Sequence, residues 1–338
     1  MSNKTRYFVA ISGAILVIGL GTGLVASYMG FPVSVFSSAA GPDELQYVPA
    51  DASVVAYANV RDVMSSEFRQ RFRQIEPSTE EKNEFEEKTG LNFEEDIDSV
   101  VAAVMGKTDL SARPQDGFLL LARGRFQAAR LEALALEHGA VIGDYQGKRI
   151  ITHHDNDNTN DTPADDMAVA FVEADLIAFG SITTVHAAID ARRENRNIVS
   201  NNDMMKLVNE IDNANAWAVG RFDAIAAQAH LPTEVQNYMP AISWFSAATH
   251  VNGGVSGTLK AEAKDETSAQ NLREVIQGVL AVAKMGSGDN PAVKAMADSL
   301  ILSGEGKTVA VAFTVPSELL DVIEAMAKGR QPALEIKQ

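Results

Sequence analysis

The residues with the clearest potential for chemistry lie in an acidic and amide-rich run that follows His153. Five oxygen-bearing side chains match positions 1, 3, 5, 7 and 12 of a calcium-binding loop: Asp155, Asp157, Thr159, Asp161 and Asp166. Asn160 replaces the glycine of such loops, and Asp166 is shorter than their closing glutamate. The pattern predicts a calcium site at Asp155, Asp157, Asp161 and Asp166. The alternative is a solvated hairpin loop without metal.

Two further motifs resemble ligand sites but lack part of the required pattern. The adjacent imidazoles of His153 and His154 are a weaker metal candidate than the carboxylates that follow them. The segment SGEGKT at 303–308 is similar to a phosphate-binding loop, but Ile301 stands where that motif needs its first glycine. A strand is predicted after the segment where the motif requires a helix, so we predict a hairpin turn at 303–308.

Three arginines precede predicted helices, namely Arg123, Arg125 and Arg221. The backbone N–H groups at a helix N-terminus attract anions, so these arginines are candidates for anion binding. The alternative is that they neutralise an acidic surface.

The sequence offers no catalytic residue that can be singled out. None of the six histidines lies in an HExxH motif, and no GxSxG motif is present. The chain contains no cysteine, which excludes thiolate catalysis, zinc–thiolate sites and disulfides. No cofactor is therefore expected apart from the calcium at the aspartate-rich loop.

The charge of the chain limits its partners. The formal net charge is −16, which argues against nucleic acid because phosphate binding needs a basic face. Acidic residues are concentrated at 80–98, where they predict a solvated helix face or a docking surface for a basic partner.

The elements that position these residues follow a repeated pattern of an apolar strand, a short polar cap and an amphipathic helix. Five segments have this pattern: 53–68, 117–139, 176–194, 215–230 and 308–329. Further strands are predicted at 98–106, 140–153, 167–173, 242–251 and 254–263, and a long helix at 265–285. Ser181 is predicted to cap one helix and Gly139 to end another. Short hairpin connections favour an α+β fold with mostly antiparallel sheets and helices on one face.

Sequence repetition indicates two related halves, residues 47–212 and 213–330, followed by a tail at 331–338. The pentapeptide GRFQA at 124–128 recurs as GRFDA at 220–224, each time at a predicted strand-to-helix junction. A chance match between common residues is the alternative.

A membrane anchor is predicted at residues 7–29, which carry no charge and are almost entirely apolar. At 1.5 Å per residue, a helix of this length spans the roughly 30 Å hydrocarbon core of a bilayer. Lys4 and Arg6 precede the span, so the positive-inside rule places residues 1–6 in the cytoplasm and the bulk outside it. Residues 30–46 predict a linker. A cleaved signal peptide is the alternative, although its apolar region is usually only about 7 to 15 residues long.

Small residues recur every four positions within the predicted span, at Gly19, Gly23 and Ser27. Such a stripe allows close packing against another membrane helix, from a second copy or from another subunit. The alternative is the general abundance of glycine in membrane helices.

Several segments resemble a group of uncharacterised bacterial proteins with one N-terminal membrane helix and an extracytoplasmic α+β domain. The segments are YVPADASVVAYANVRDV, DIDSVVAAV, GRFQAARLEALALEHGA and DYQGKRI, and the resemblance covers roughly residues 47–200. It implies a bacterial envelope setting and no activity.

These features together predict a non-enzymatic protein of the bacterial inner membrane, with its bulk in the periplasm. Its expected role is a protein-interaction module, as an accessory or scaffold subunit of a membrane complex. The alternatives are a ligand-binding or sensory module that uses a groove between the two halves, and a hydrolase with a carboxylate site.

Overall fold

The computed structural model describes residues 42–73, 87, 89–105, 117–153, 167–211, 213–222, 242–286 and 291–319. The predicted transmembrane span at 7–29, with Gly19, Gly23 and Ser27, lies outside these residues. The predicted tail at 331–338 and most of the acidic segment 80–98 also lie outside them.

One 12-stranded antiparallel sheet forms the centre of the described chain, in the order β11-β12-β10-β9-β8-β1-β2-β3-β7-β6-β5-β4. The strands are β1 (Ala52–Ala58), β2 (Ile97–Met105), β3 (Phe118–Gly124), β4 (Val141–Tyr145), β5 (Lys148–His153), β6 (Met167–Glu173), β7 (Leu176–Ser181), β8 (Ala216–Arg221), β9 (Ile242–Val251), β10 (Gly254–Ala263), β11 (Ile301–Ser303) and β12 (Thr308–Pro316).

Helices connect these strands, so the predicted mixed α+β class is confirmed. The α-helices are α1 (Val60–Ser65), α2 (Glu67–Arg73), α3 (Phe93–Asp96), α4 (Ala128–Glu137), α5 (Ile182–Arg193), α6 (Asn202–Asn209), α7 (Glu266–Gly286) and α8 (Pro291–Ser299). Two 3-10 helices lie at Asp43–Tyr47 and Ile198–Ser200.

The predicted halves do not form separate sheets. Strand β1 of the first half pairs with β8 of the second half, from Val54–Gly220 to Ala58–Ala216. Because this pairing joins the two sets of strands edge to edge, the described residues form one continuous sheet.

Helices cover both faces of the sheet, whereas the sequence predicted helices on one face. Leu119 and Leu121 of β3 pack with Val185 and Ala188 of α5 in the main core. The strand register places Leu121 of β3 and Thr258 of β10 on the same face of the sheet. Successive side chains alternate between faces. Val255 of β10, three residues from Thr258, therefore lies on the opposite face, where it packs with Val293 and Met296 of α8.

Local sequence signals account for several element ends. The Ser181 side chain accepts a hydrogen bond from the Thr184 N–H and caps α5, as predicted. Gly139 follows α4 with a φ of 84°, a left-handed conformation that favours glycine and ends the helix. The SGEGKT segment forms the turn between β11 and β12, as its predicted hairpin requires.

The described body includes the last residues of the predicted linker 30–46. Residues 43–47 form a 3-10 helix in which Glu44, Leu45 and Tyr47 are buried. The Ile198 N–H donates to the carbonyl oxygen of Val48 at 2.7 Å, which ties the next residues to the second 3-10 helix. The linker prediction extended too far because loop-like composition does not exclude burial by distant residues.

Candidate functional site

The predicted calcium ligands Asp155, Asp157, Asp161 and Asp166 lie outside the described residues. The segments that flank them are strands β5 and β6, as expected for a hairpin loop. Among the described residues, no group of three or more His, Asp or Glu side chains is placed to hold a metal ion. The calcium site therefore stays a prediction.

The guanidinium of Arg123 lies among three carboxylates. It donates to Glu44 at 2.6 Å, to Asp175 at 2.8 Å and to Glu173 at 3.1 Å. Ser99 Oγ also donates to Glu44, at 3.0 Å, and Glu44 is only 3% exposed. Arg123 is therefore the counter-charge of a buried carboxylate, which leaves it unsuited to the predicted anion binding.

The acidic partners keep Arg123 protonated. Burial alone would lower the pKa of Arg123, but its hydrogen bonds with Glu44 and Asp175 and their charges outweigh burial and raise that pKa. Burial, followed by the charge of Glu173, raises the pKa of Tyr47, whose hydroxyl donates to Glu173 at 3.1 Å. Burial and the nearby Glu44 raise the pKa of Tyr57 as well. The raised pKa values keep these groups protonated at neutral pH, and Arg123 and Tyr47 donate hydrogen bonds to the neighbouring carboxylates.

Three described carboxylates of the acidic segment pair with arginines of the same chain. Glu94 of α3 is buried and accepts from Arg69 of α2 at 2.9 Å. Asp98 accepts from Arg61, and Asp96 lies 3.2 Å from Arg125. These three carboxylates of the predicted solvated face or docking surface therefore pair within the chain, and of the three only Glu94 is buried, whereas Glu87 and Glu95 are exposed.

A cavity of about 510 Å³ lies beside the Arg123 cluster, at the start of α4. Its lining residues are Gly90, Asp96, Gly124, Arg125, Phe126, Gln127, Ala174 and Asp175. Gln127 is the N-cap of α4 but makes no side-chain capping hydrogen bond, and the first turn contains no acidic residue. The lining offers charges of both signs, from Arg125 and from the carboxylates of Asp96 and Asp175, which suits a small polar ligand.

Two glycines that line the cavity allow neighbouring chain segments to approach each other closely. A Cβ added at Gly124 would overlap the carbonyl oxygen of Asp96, and one added at Gly90 would overlap the guanidinium of Arg130. Gly220 has the same steric requirement, because a Cβ there would lie 2.5 Å from the carbonyl oxygen of Ser53. The repeated GRF sequence therefore marks strand ends that another strand's backbone approaches closely. Arg221 itself is exposed at the end of β8.

A ring stack that the sequence did not predict joins the β4–β5 hairpin to α5. The rings of Tyr145 and His186 are parallel within 6°, with centroids 3.7 Å apart. The Tyr145 hydroxyl donates to Asp190 Oδ2 at 2.8 Å. Burial lowers the pKa of His186, and the charge of Asp190 opposes this effect. The arrangement fastens the edge hairpin to the body.

Helix α7 carries two apolar faces. One face packs on the sheet, where Ala269, Leu272 and Ile276 contact the cluster that includes Val309. The second face lies to the side and consists of Val275, Gly278, Val279, Val282 and Met285, which we call the lateral face. Its members recur at the i, i+3, i+4, i+7 spacing of one helical stripe.

The lateral face is open to solvent. Val279 and Val282 are each 58% exposed, and Met285 is 79% exposed. A helix that packs only on its own sheet needs one apolar stripe, so this second stripe lacks a function within the described fold. A helical projection of the predicted helix 265–285 contains the signal, but the sequence alone does not tell which apolar stripe faces the sheet.

Within the described ranges, no helix is both long enough and apolar enough to cross a membrane. The predicted anchor and its orientation therefore stay predictions.

Comparisons with known proteins give a family and one distant structural likeness. A family model described as "Protein of unknown function (DUF3352)" matches residues 10–273. No curated protein matches the chain. A solved structure, described as "Structure of crystal form I of TP0453", is similar with a TM-score of 0.41 and 12% sequence identity, covering 85% of this chain and 98% of that chain. The chain belongs to the DUF3352 family, which fits the expected class of uncharacterised bacterial proteins.

Proposed function

We propose that this DUF3352 protein is a non-enzymatic protein-interaction module of the bacterial inner membrane. In this proposal residues 7–29 anchor the chain and the sheet body lies in the periplasm. The module works as an accessory or scaffold subunit of a membrane complex. The observation that carries the proposal is the lateral face of α7.

The lateral face supports an interaction role on energetic grounds. Burial of apolar surface stabilises a complex by roughly 25 cal/mol per Å². More than half of the surface of Val279, Val282 and Met285 is exposed to water. A partner that covers these side chains would therefore be stabilised by the free energy of burying this apolar surface. Clustered exposure of large apolar side chains on one helix is typical of interaction surfaces, unlike scattered single residues.

The contacts that hold the first 3-10 helix to the sheet also support the anchored arrangement. Glu44 and Tyr47 are held by Arg123 and Glu173, close to where the predicted linker ends. Arg192 contacts the same segment, through Gln46 and at 5.9 Å from the Tyr47 ring centroid. In this proposal the residues between the predicted span and Glu44 are the tether that joins the membrane to the body.

Two related halves are also part of the proposal, on the basis of strand order. In the first half, β1, β2 and β3 are neighbours and the last strand, β7, lies beside β3. In the second half, β8, β9 and β10 are neighbours and the last strand, β12, lies beside β10. The repeated GRF sequences occur on β3 and β8, which are not equivalent in this scheme. An experimental structure that lacks a helix after β8 equivalent to α1 would contradict the relation.

The test of the interaction role uses mass spectrometry on proteins that are cross-linked in their native membrane with a lysine-reactive reagent before they are extracted in mild detergent. The full-length chain is expected to form a cross-linked species larger than one copy. Val282→Asp on the lateral face should abolish this species. Gln277→Asp, which adds the same charge on the exposed polar side of α7, should leave it intact. A wild-type chain that runs as a single copy, or a complex unaffected by Val282→Asp, contradicts the proposal.

Ligand binding is the second candidate function, and the cavity beside α4 is the observation that favours it. Its mixed charges and the uncapped α4 N-terminus fit a small polar molecule that carries a carboxylate. A thermal-shift series with free amino acids and dicarboxylates should raise the unfolding temperature of the wild type but not of Arg125→Ala. The absence of any shift rules this candidate out for those ligands.

A further inference from the structure

The lateral face of α7 contains a glycine that the protein's own packing does not explain. Gly278 lies inside a 21-residue helix, where glycine is less favourable than alanine. A Cβ added there would meet no described heavy atom within 4 Å. Glycine at such a position is accounted for when the backbone of another helix approaches it closely, because any side chain would hold the two helices apart.

The charge distribution indicates what can approach. The whole chain is strongly acidic, with a net charge of −16. Residues 275–286 contain no acidic residue and only one charged side chain, Lys284. Two acidic copies of this chain can therefore meet at the lateral face with less electrostatic repulsion than over a surface rich in carboxylates.

The lateral face is also complementary to itself. In an antiparallel pair of α7 helices centred between Leu280 and Ala281, Val279 lies opposite Val282 of the second copy. In the same arrangement Gly278 lies at the level of Ala283, whereas Lys284, seven residues from Gln277, lies on the same side of the helix as Gln277 and outside the seam. Apolar groups then meet along the seam and no like charges are opposed.

We propose that the lateral face of α7 binds the same face of a second copy of this chain. This inference rests on the proposed interaction function and names its partner. Three exposed side chains provide only a small interface, which favours weak pairing in dilute solution. Tethering to one membrane raises the effective concentration of the two copies, so the pair forms where the protein is anchored.

The absence of cysteine makes site-specific cross-linking a direct test of this pairing. Full-length Val282→Cys and Gln277→Cys variants are treated in native membranes with a short bis-maleimide, and the products are identified by mass spectrometry. Val282→Cys is expected to yield an adduct of two copies, and Gln277→Cys, on the other side of the helix, much less. Adding Gly278→Leu to Val282→Cys should lower the yield about tenfold, because the larger side chain separates the helices.

The other outcomes overturn the pairing in different ways. An adduct between Val282→Cys and a different protein rejects the second copy but leaves the interaction function standing. An equal yield of two-copy adduct from Gln277→Cys shows random collision. If no adduct forms and a water-soluble maleimide labels Val282→Cys only after detergent is added, the lateral face binds lipid. If no adduct forms and that maleimide labels Val282→Cys fully without detergent, nothing covers the lateral face. This outcome rejects both the pairing and the interaction function.

Discussion

Arg123 and Glu44 show how one side chain can determine whether another is buried. The carboxylate of Glu44 is almost completely removed from water, and its charged partner at 2.6 Å is Arg123. Removing one member of a buried ion pair leaves the other without compensation for its lost hydration. At this scale, the cluster is expected to determine stability rather than activity.

Arg123→Ala is expected to lower the free energy of unfolding by about 3–5 kcal/mol, because it leaves the buried carboxylate of Glu44 without its positively charged partner. Urea unfolding of the full-length protein in detergent, followed by tryptophan fluorescence, measures this change. Arg125→Ala is the matched control, since its side chain is 62% exposed. Its pair with Asp96 is worth about 0–1 kcal/mol. Equal losses for the two variants would mean that Arg123 does not support Glu44.

Protonation of His186 is expected to destabilise the fold at mildly acidic pH. Its pKa is lowered by burial, so the unfolded chain binds a proton more readily than the folded protein. Stability therefore falls as the pH drops through about 6.5, the ordinary pKa of histidine, towards the lower folded value. His186→Phe keeps a ring against Tyr145 but removes the titrating group. It should reduce the difference in unfolding temperature between pH 7.5 and pH 5.5. A difference equal to that of the wild type would mean that His186 does not cause the loss of stability.

At the scale of elements, two glycines have opposite steric surroundings. Gly124 ends β3 where the backbone of Asp96 leaves no room for a side chain, whereas Gly278 lies in α7 with free space around it. Their different environments come from the neighbouring strand in one case and from the open lateral face in the other. These environments depend on tertiary contacts, so the sequence alone could not distinguish them.

Gly278→Ala is expected to stabilise the isolated fold by about 0.5–1 kcal/mol, because alanine loses less backbone entropy in a helix. Gly124→Ala should destabilise it, since the added Cβ overlaps the carbonyl oxygen of Asp96. Thermal unfolding of the two variants beside the wild type measures both effects. A loss of stability in Gly278→Ala would mean that this position is packed more closely than the structure describes.

At the scale of the whole molecule, the continuous sheet determines how the body can be attached. The β1–β8 pairing holds the two sets of strands together, and the chain enters beside the Arg123 cluster. Because strand pairing fixes the positions of distant segments, the body should behave as one unit carried on the predicted anchor.

The predicted membrane orientation can be tested with the same cysteine-free background. A membrane-impermeant maleimide added to intact spheroplasts should label Ser303→Cys, which is exposed on β11. Ser2→Cys should be labelled only after lysis, because the positive-inside rule places residues 1–6 in the cytoplasm. Labelling of Ser2→Cys in intact spheroplasts would reverse the orientation, and labelling of both only after lysis would place the whole chain inside.

Much of the secondary structure could be predicted from the sequence because its signals are local. The predicted strands 167–173, 242–251 and 254–263 agree with β6, β9 and β10, since alternating apolar residues and adjacent turn residues define them. The cap at Ser181 and the stop at Gly139 depend on a few neighbouring residues. Helix α6 was missed because Asn202–Asn209 is short and is stabilised by packing its methionines on the core.

The sequence by itself determined the α+β class, the long helix and the charge that argues against nucleic acid. Tertiary structure alone decided that the strands form one sheet, that helices cover both faces and that Arg123 joins Glu44 to Glu173 and Asp175. It also decided which apolar stripe of α7 faces the sheet and which faces water. Local signals act over a few residues, whereas these features depend on contacts between residues far apart in the chain, and such contacts exist only after folding.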